Sequence, residues 1–167
     1  MYPVSDGFLR AVKSNTRKYY WTGTIVTRGG MTYEFGAKEI VKGSGYISRQ
    51  CCGSTEIELG TVYAAEMGIT LLSDIDRYTL EDAQVTLVFH LVLADDSVED
   101  VPMGVFEVSE ANRLAKCLEL KAYDFMLRFD KSFNGFETVG IAYDFIALCC
   151  KRCNCLLYTS PSPRDRG

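Results

Sequence analysis

The stretch from Gln84 to Asp124 constrains the fold more than any other part of the chain. It reads QVTLVFHLVLADDSVEDVPMGVFEVSEANRLAKCLELKAYD. From Val85 to Leu93 the odd positions are Val85, Leu87, Phe89, Leu91 and Leu93. The positions between them are Thr86, Val88, His90 and Val92. A period of two with one strongly apolar side predicts a strand that buries one face. Ala94 to Ser97 supplies turn residues. Pro102-Met103-Gly104 reads as a further break, followed by a second extended run from Gly104 to Glu110. Asn112 reads as the next turn, and Leu114, Leu118 and Leu120 fall in a third run. Three antiparallel strands joined in order, a meander, are the expectation.

The 167 residues leave room for one domain of about 130 to 150 residues with a real core. The ten Tyr and nine Phe suit a β-rich fold or an interface. A net charge of −4 with no basic cluster argues against a binder of duplex DNA or RNA. No apolar run approaches membrane-spanning length, and the N-terminus lacks an apolar signal core. Synthesis and assembly in the cytoplasm are therefore expected. The seven cysteines are odd in number and are taken as reduced thiols in that compartment.

Ser5 is placed to cap a short helix whose apolar side is Phe8, Leu9 and Val12. Residues 17–27 are rich in strand formers, including Tyr19, Tyr20 and Trp21. Arg28-Gly29-Gly30 reads as a hairpin turn and Met31 to Phe35 as the return strand. Ala37 to Ile40 is expected to form one helical turn, and Lys42 to Cys52 another strand. Glu56 to Leu72 reads as two strands with a bend or bulge at Gly60 or Gly68, against an alternative helix over Val62 to Met67. Ser73 to Asp82 reads as a polar loop. Tyr123 to Phe129 is expected to form a helical turn. Ala142, Phe145, Ile146, Cys149, Cys150 and Cys153 have helical spacing.

Residues that carry chemistry are sparse. His90 is the only histidine, on the side of its strand away from the odd apolar set, and reads as a surface or interface residue. Gly43-Ser44-Gly45 is not followed by a phosphate-loop Lys. No carboxylate pair has a spacing that selects acid and base roles. Cys149, Cys150, Cys153 and Cys155 lack the second ligand pair of a zinc site; they read as small apolar side chains on a helix face. Cys51 and Cys52 alternate on a strand and read as packing. No catalytic, cofactor or metal residue is assigned, and an enzyme is the least supported class.

The segments VPMGVFEV and LELKAYDFM, each following a polar turn, resemble the N-terminal module of phage and prophage tail hub proteins. That family, of tail-tip or baseplate hubs related to tail-associated lysins, shows P-L/M-G-x-F-x-V followed by a strand ending x-A-Y-D-x-M. The N-terminal VSDGFLRAVKS and the stretch IVKGSGYISRQCCGSTEIELG resemble it too, so that the likeness spans about Ser5 to Asn154. The resemblance implies a mainly β fold: an antiparallel, tail-tube-like β-barrel of about seven or eight strands, with a short N-terminal helix and a C-terminal helix. It implies residues 1–16 as the helical segment, 17–133 as the barrel, and 134–154 as the helix opening a second, truncated module. It implies a structural protein of the virion tail, a homotrimeric ring around the tail channel stacked on the distal tail protein, with DNA only in transit. Any peptidoglycan hydrolase would lie in a further C-terminal region.

Residues 155–167, CLLYTSPSPRDRG, shift abruptly to Ser, Pro and Arg and resemble translated sequencing-adaptor read-through; they are expected to be non-native and disordered. Glu56 and Glu58 flank Ile57 on one side of a strand and are the candidate channel-facing carboxylates, where negative charge would repel phosphate. The residues alone also leave open a small β-barrel binding domain for a glycan or single-stranded nucleic acid. Tyr19, Tyr20 and Trp21 would be its stacking platform.

Overall fold

The alternation in residues 84–124 becomes the centre of a single antiparallel sheet. The computed structural model describes residues 2–50, 63–132 and 141–155. Seven strands form there: β1 Lys18–Val26, β2 Thr32–Phe35, β3 Tyr46–Ser48, β4 Glu66–Leu72, β5 Gln84–Val92, β6 Val98–Leu114 and β7 Cys117–Tyr123. Helix α1 spans Asp6–Lys13 and helix α2 spans Ala142–Arg152. The order across the sheet is β2-β1-β5-β6-β7-β4-β3. The predicted mainly β, antiparallel class with a helix towards each end is thus what the chain adopts. The meander β5-β6-β7 sits in the middle, with one hairpin pair added on each side.

The inward face follows the sequence pattern. Val85, Leu87 and Leu91 of β5 are buried, as are Phe106 and Val108 of β6 and Leu118, Leu120 and Ala122 of β7. Ile25 and Phe35 from one end of the sheet share a cluster with Met67, Ile69 and Leu71 from the other. The sheet therefore curls around one core. Each fully buried aliphatic side chain contributes roughly 1.5–3 kcal/mol. The stretch from Gly36 to Gly45 joins the two end strands β2 and β3. It is held to β4 by an Ile40–Leu71 bridge and by Val41 N–H donating to Thr70 O at 2.9 Å.

Several local expectations change. Pro102-Met103-Gly104 does not end a strand. Leu87 faces Gly104 while Val88 faces Pro102, so Met103 is an extra residue in a β-bulge, and Gly104 takes φ +120°. A second irregularity falls between Val108 and Glu110. Asn112 is not the turn: it pairs with Glu119, and the chain reverses at Ala115, which adopts φ +54°. Gly68 makes no bend either. It pairs with Tyr46 on one side and Lys121 on the other, and the Tyr46 ring lies over it. Residues 63–65 are not helical, and β4 begins at Glu66. Of the strand expected from Lys42 to Cys52, only Tyr46–Ser48 forms among the described residues. The polar loop from Ser73 contains a 3-10 turn, Arg77–Leu80, whose Leu80 is fully buried.

At the N-terminus Ser5 caps α1, its hydroxyl accepting from Phe8 N–H at 3.0 Å. Ser5 also donates from N–H and hydroxyl to the Glu99 carboxylate, at 2.8 and 2.5 Å. Phe8 meets Phe89 edge-on at 6.4 Å, which seats the helix against β5. The helical turn expected near Phe129 is a 3-10 turn, Phe125–Phe129. In α2 the apolar face is only half used: Cys150 is buried, whereas Ile141, Phe145 and Ile146 at its N-terminal end are exposed. Residues 51–62 and 156–167 lie outside the described residues, and with them Cys51, Cys52, Glu56, Glu58, Gly60 and most of the terminal segment.

Candidate interaction surface

Antiparallel register places Tyr20, His90 and Asp100 side by side on β1, β5 and β6. Side chains at even positions of β5 point away from the core, so the three meet on the outer face. Tyr20 stacks on the imidazole, with ring centroids 4.5 Å apart and planes within 12°. Nδ1 of His90 lies 2.5 Å from Asp100 Oδ1, and Nε2 lies 2.7 Å from Thr22 Oγ1. The result is a histidine side chain only 13% exposed beside an aspartate 58% exposed. His90 is therefore not a free surface residue. It is clamped by three neighbours on two strands.

The order carboxylate, imidazole, hydroxyl has the logic of an orienting group, a base and a nucleophile. Thr22 and its neighbour Gly23 pair with Val88 and Leu87 in the β1–β5 ladder. A cleft of about 480 Å³ beside Thr22 carries Glu34 and Glu39, which disfavour negative charge on a substrate. The cluster ties β1, β5 and β6 together on their outer face.

Tyr19, Tyr20 and Trp21 do not form one stacking platform. Successive strand residues point to opposite faces. Tyr19 and Trp21 both pack on Phe89, at 5.5 and 5.6 Å, while Tyr20 lies on His90.

The first half of β1 is open on its other side. β2 pairs only with Gly23 to Val26, whereas β5 pairs with all of Lys18 to Val26. Among the described residues, Lys18 to Thr22 thus have no strand on the side away from β5. β3 is likewise paired only with β4. A cleft of about 540 Å³ lies between the start of β1 and the Gly36–Gly45 stretch, with Trp21, Ile40 and Ile69 among its lining residues and Arg17, Lys18 and Lys42 supplying charge. Among the described residues, no carboxylate lines it. Tyr19 is 53% and Tyr20 38% exposed.

On the far edge, Tyr46 hydroxyl donates to Glu66 Oε1 at 2.5 Å and Lys121 Nζ stands 3.6 Å from Glu66 Oε2. The tyrosine hydrogen bond, together with Tyr123 and Lys121, holds the Glu66 carboxyl below the usual glutamate range. The same bond pushes the Tyr46 hydroxyl up. Among the described residues no group of three or more His, Cys, Asp or Glu side chains could hold a metal ion.

No family model matches the chain, and no curated protein matches it by sequence. Its fold is similar to that of a chain in the solved structure "Virion of native gene transfer agent (GTA) particle". The TM-score is 0.51 at 11% identity, over 79% of this chain and 49% of that one. This chain thus spans about half the length of that chain. The likeness is one of fold.

Proposed function

We propose that the protein is a structural component of a phage-like virion, in the tail tip or baseplate hub, where copies form a ring around the tail channel. The observation that carries this reading is the fold shared with a chain of a gene transfer agent virion over 79% of the present chain. The hub motifs in β6 and β7 favour the tail tip within such a particle. The Asp100–His90–Thr22 line acts as a structural tie, and the chain has no catalysis of its own. Self-association, as a homotrimer, and contact with the distal tail protein supply the function; sheet edges are the natural surfaces for both. Glu56 and Glu58 are proposed to face the channel. There they would repel the phosphates of DNA in transit, an effect that reaches about 10 Å at 0.1 M salt.

The test is to express the complete gene product, measure its mass in solution and image it by electron microscopy. A ring of defined copy number with Glu56 and Glu58 lining its bore is expected. A monomer that persists at high concentration, or a ring with both residues on its outer wall, would overturn the proposal.

A further inference from the structure

We propose that the open seam between β1 and the Gly36–Gly45 stretch is a strand-addition site for an extended, acidic segment of a partner protein. The inference deepens the assembly reading by naming one surface and the chemistry of what it takes.

The backbone argument comes first. A strand inside a sheet directs its N–H and C=O groups alternately to both neighbours. Residues Lys18 to Thr22 have β5 on one side and no described strand on the other. The unpaired side of such a strand is a template for an incoming strand. The stretch from Gly36 to Gly45 does not take that role. Its backbone bonds go to β4 instead, through Val41 N–H to Thr70 O and Leu72 N–H to Glu39 O. It lies across the cleft from β1 without pairing to it. Five template residues accept an extended segment about 17 Å long, at roughly 3.4 Å per residue.

Side chains then select the occupant. Trp21, Ile40 and Ile69 give the cleft apolar surface for alternate residues of the incoming strand. Arg17, Lys18 and Lys42 are cationic, and among the described residues none that lines the cleft is acidic. Among the described residues, none of these three cations is in an ion pair. The chain as a whole carries −4, so a cationic cleft stands out from its average surface. A segment alternating carboxylates with apolar residues satisfies both sides of the template. Single-stranded nucleic acid would also meet the charge. However, Tyr19 and Tyr20 are already packed on Phe89 and His90, on opposite faces of β1. They do not offer successive bases a row of rings.

The test uses the full chain and three fluorescent probes: a seven-residue peptide alternating Glu with Val, its Lys-for-Glu counterpart, and an oligothymidine. Anisotropy measures binding, and amide exchange locates it. The Glu–Val peptide is expected to bind saturably, to slow exchange at residues 18–22, and to weaken as salt rises. The Lys18→Glu/Lys42→Glu variant should melt like the parent, lose at least tenfold in affinity for the Glu–Val peptide, and gain the Lys–Val peptide. Absence of saturable binding up to about 1 mM overturns the proposal. So does unchanged binding by the folded double variant, or protection that falls elsewhere. Tighter binding of oligothymidine would assign the seam to nucleic acid and overturn the peptide reading. A ring that forms from a chain deaf to the peptide sinks the seam alone. A chain that binds the peptide yet stays monomeric as the complete product sinks the ring alone.

Discussion

At Gly23 the chain passes so close to the Phe35 ring that a Cβ would stand 2.3 Å from its Cζ and 2.7 Å from the Thr86 carbonyl oxygen. Phe35 is buried and Thr86 O is backbone, so neither can move cheaply. Gly23→Ala should therefore destabilise the fold by about 1–3 kcal/mol, the usual cost of overpacking, read as a lower urea midpoint at unchanged slope. Leu80 makes the opposite case. It is fully buried from a segment that is polar on both sides, and Leu80→Ala should cost about 2–5 kcal/mol in the same measurement. The odd positions of β5 were legible because period and burial coincide. Leu80 was not, since Ile75 and Leu80, scattered among Asp and Arg, have no period to reveal them. His90 was legible as outward-facing but not as clamped. Its partner Thr22 is 68 residues away, and only the β1–β5 register brings the two together.

At the scale of elements, the meander was readable and its punctuation was not. Pro and Gly normally mark chain reversal, yet β6 runs through Pro102 and Gly104 by absorbing Met103 as a bulge. Ala115, which reverses the chain, is a poor turn former, so composition pointed three residues too early. The β3–β4–β7 edge carries a pH signature. Glu66 has its pKa lowered in the folded protein from an ordinary value of 4.5, first by the Tyr46 hydrogen bond. A lowered carboxyl pKa adds stability above the unfolded value and loses it as pH falls through the folded one. Thermal stability should thus decline from about pH 5 downward, and Glu66→Gln should flatten that decline while leaving the other acid-sensitive groups in place. An unchanged acid limb in the variant would show that the cluster does not govern it.

For the whole molecule, the sheet order could not be read from the chain, because β2 and β3 are consecutive in sequence and lie at opposite ends of the sheet. Local pattern marks strands; it does not say which hairpin joins which side of a meander. The same order leaves the seam open, so the candidate surface was illegible for the same reason. Tyr19, Tyr20 and Trp21 were visible as an aromatic run, and their separation onto two faces follows from strand geometry alone. The helical spacing of α2 was visible as well, but not that Phe145 and Ile146 at its N-terminal end stay exposed while Cys150 is buried.

That order also sets a timetable for synthesis. β1 takes its longest pairing from β5, which leaves the ribosome more than fifty residues later. At about 5–20 residues per second, the β1–β2 hairpin waits on the order of several seconds without its template. A two-stranded hairpin is marginal by itself, and its tyrosines and unpaired edge are exposed for that interval. Non-local pairing of this kind slows folding into the millisecond-to-second range even once the chain is complete. Yield from overexpression should therefore rise when a chaperone covers the first strands, with no change in the finished protein.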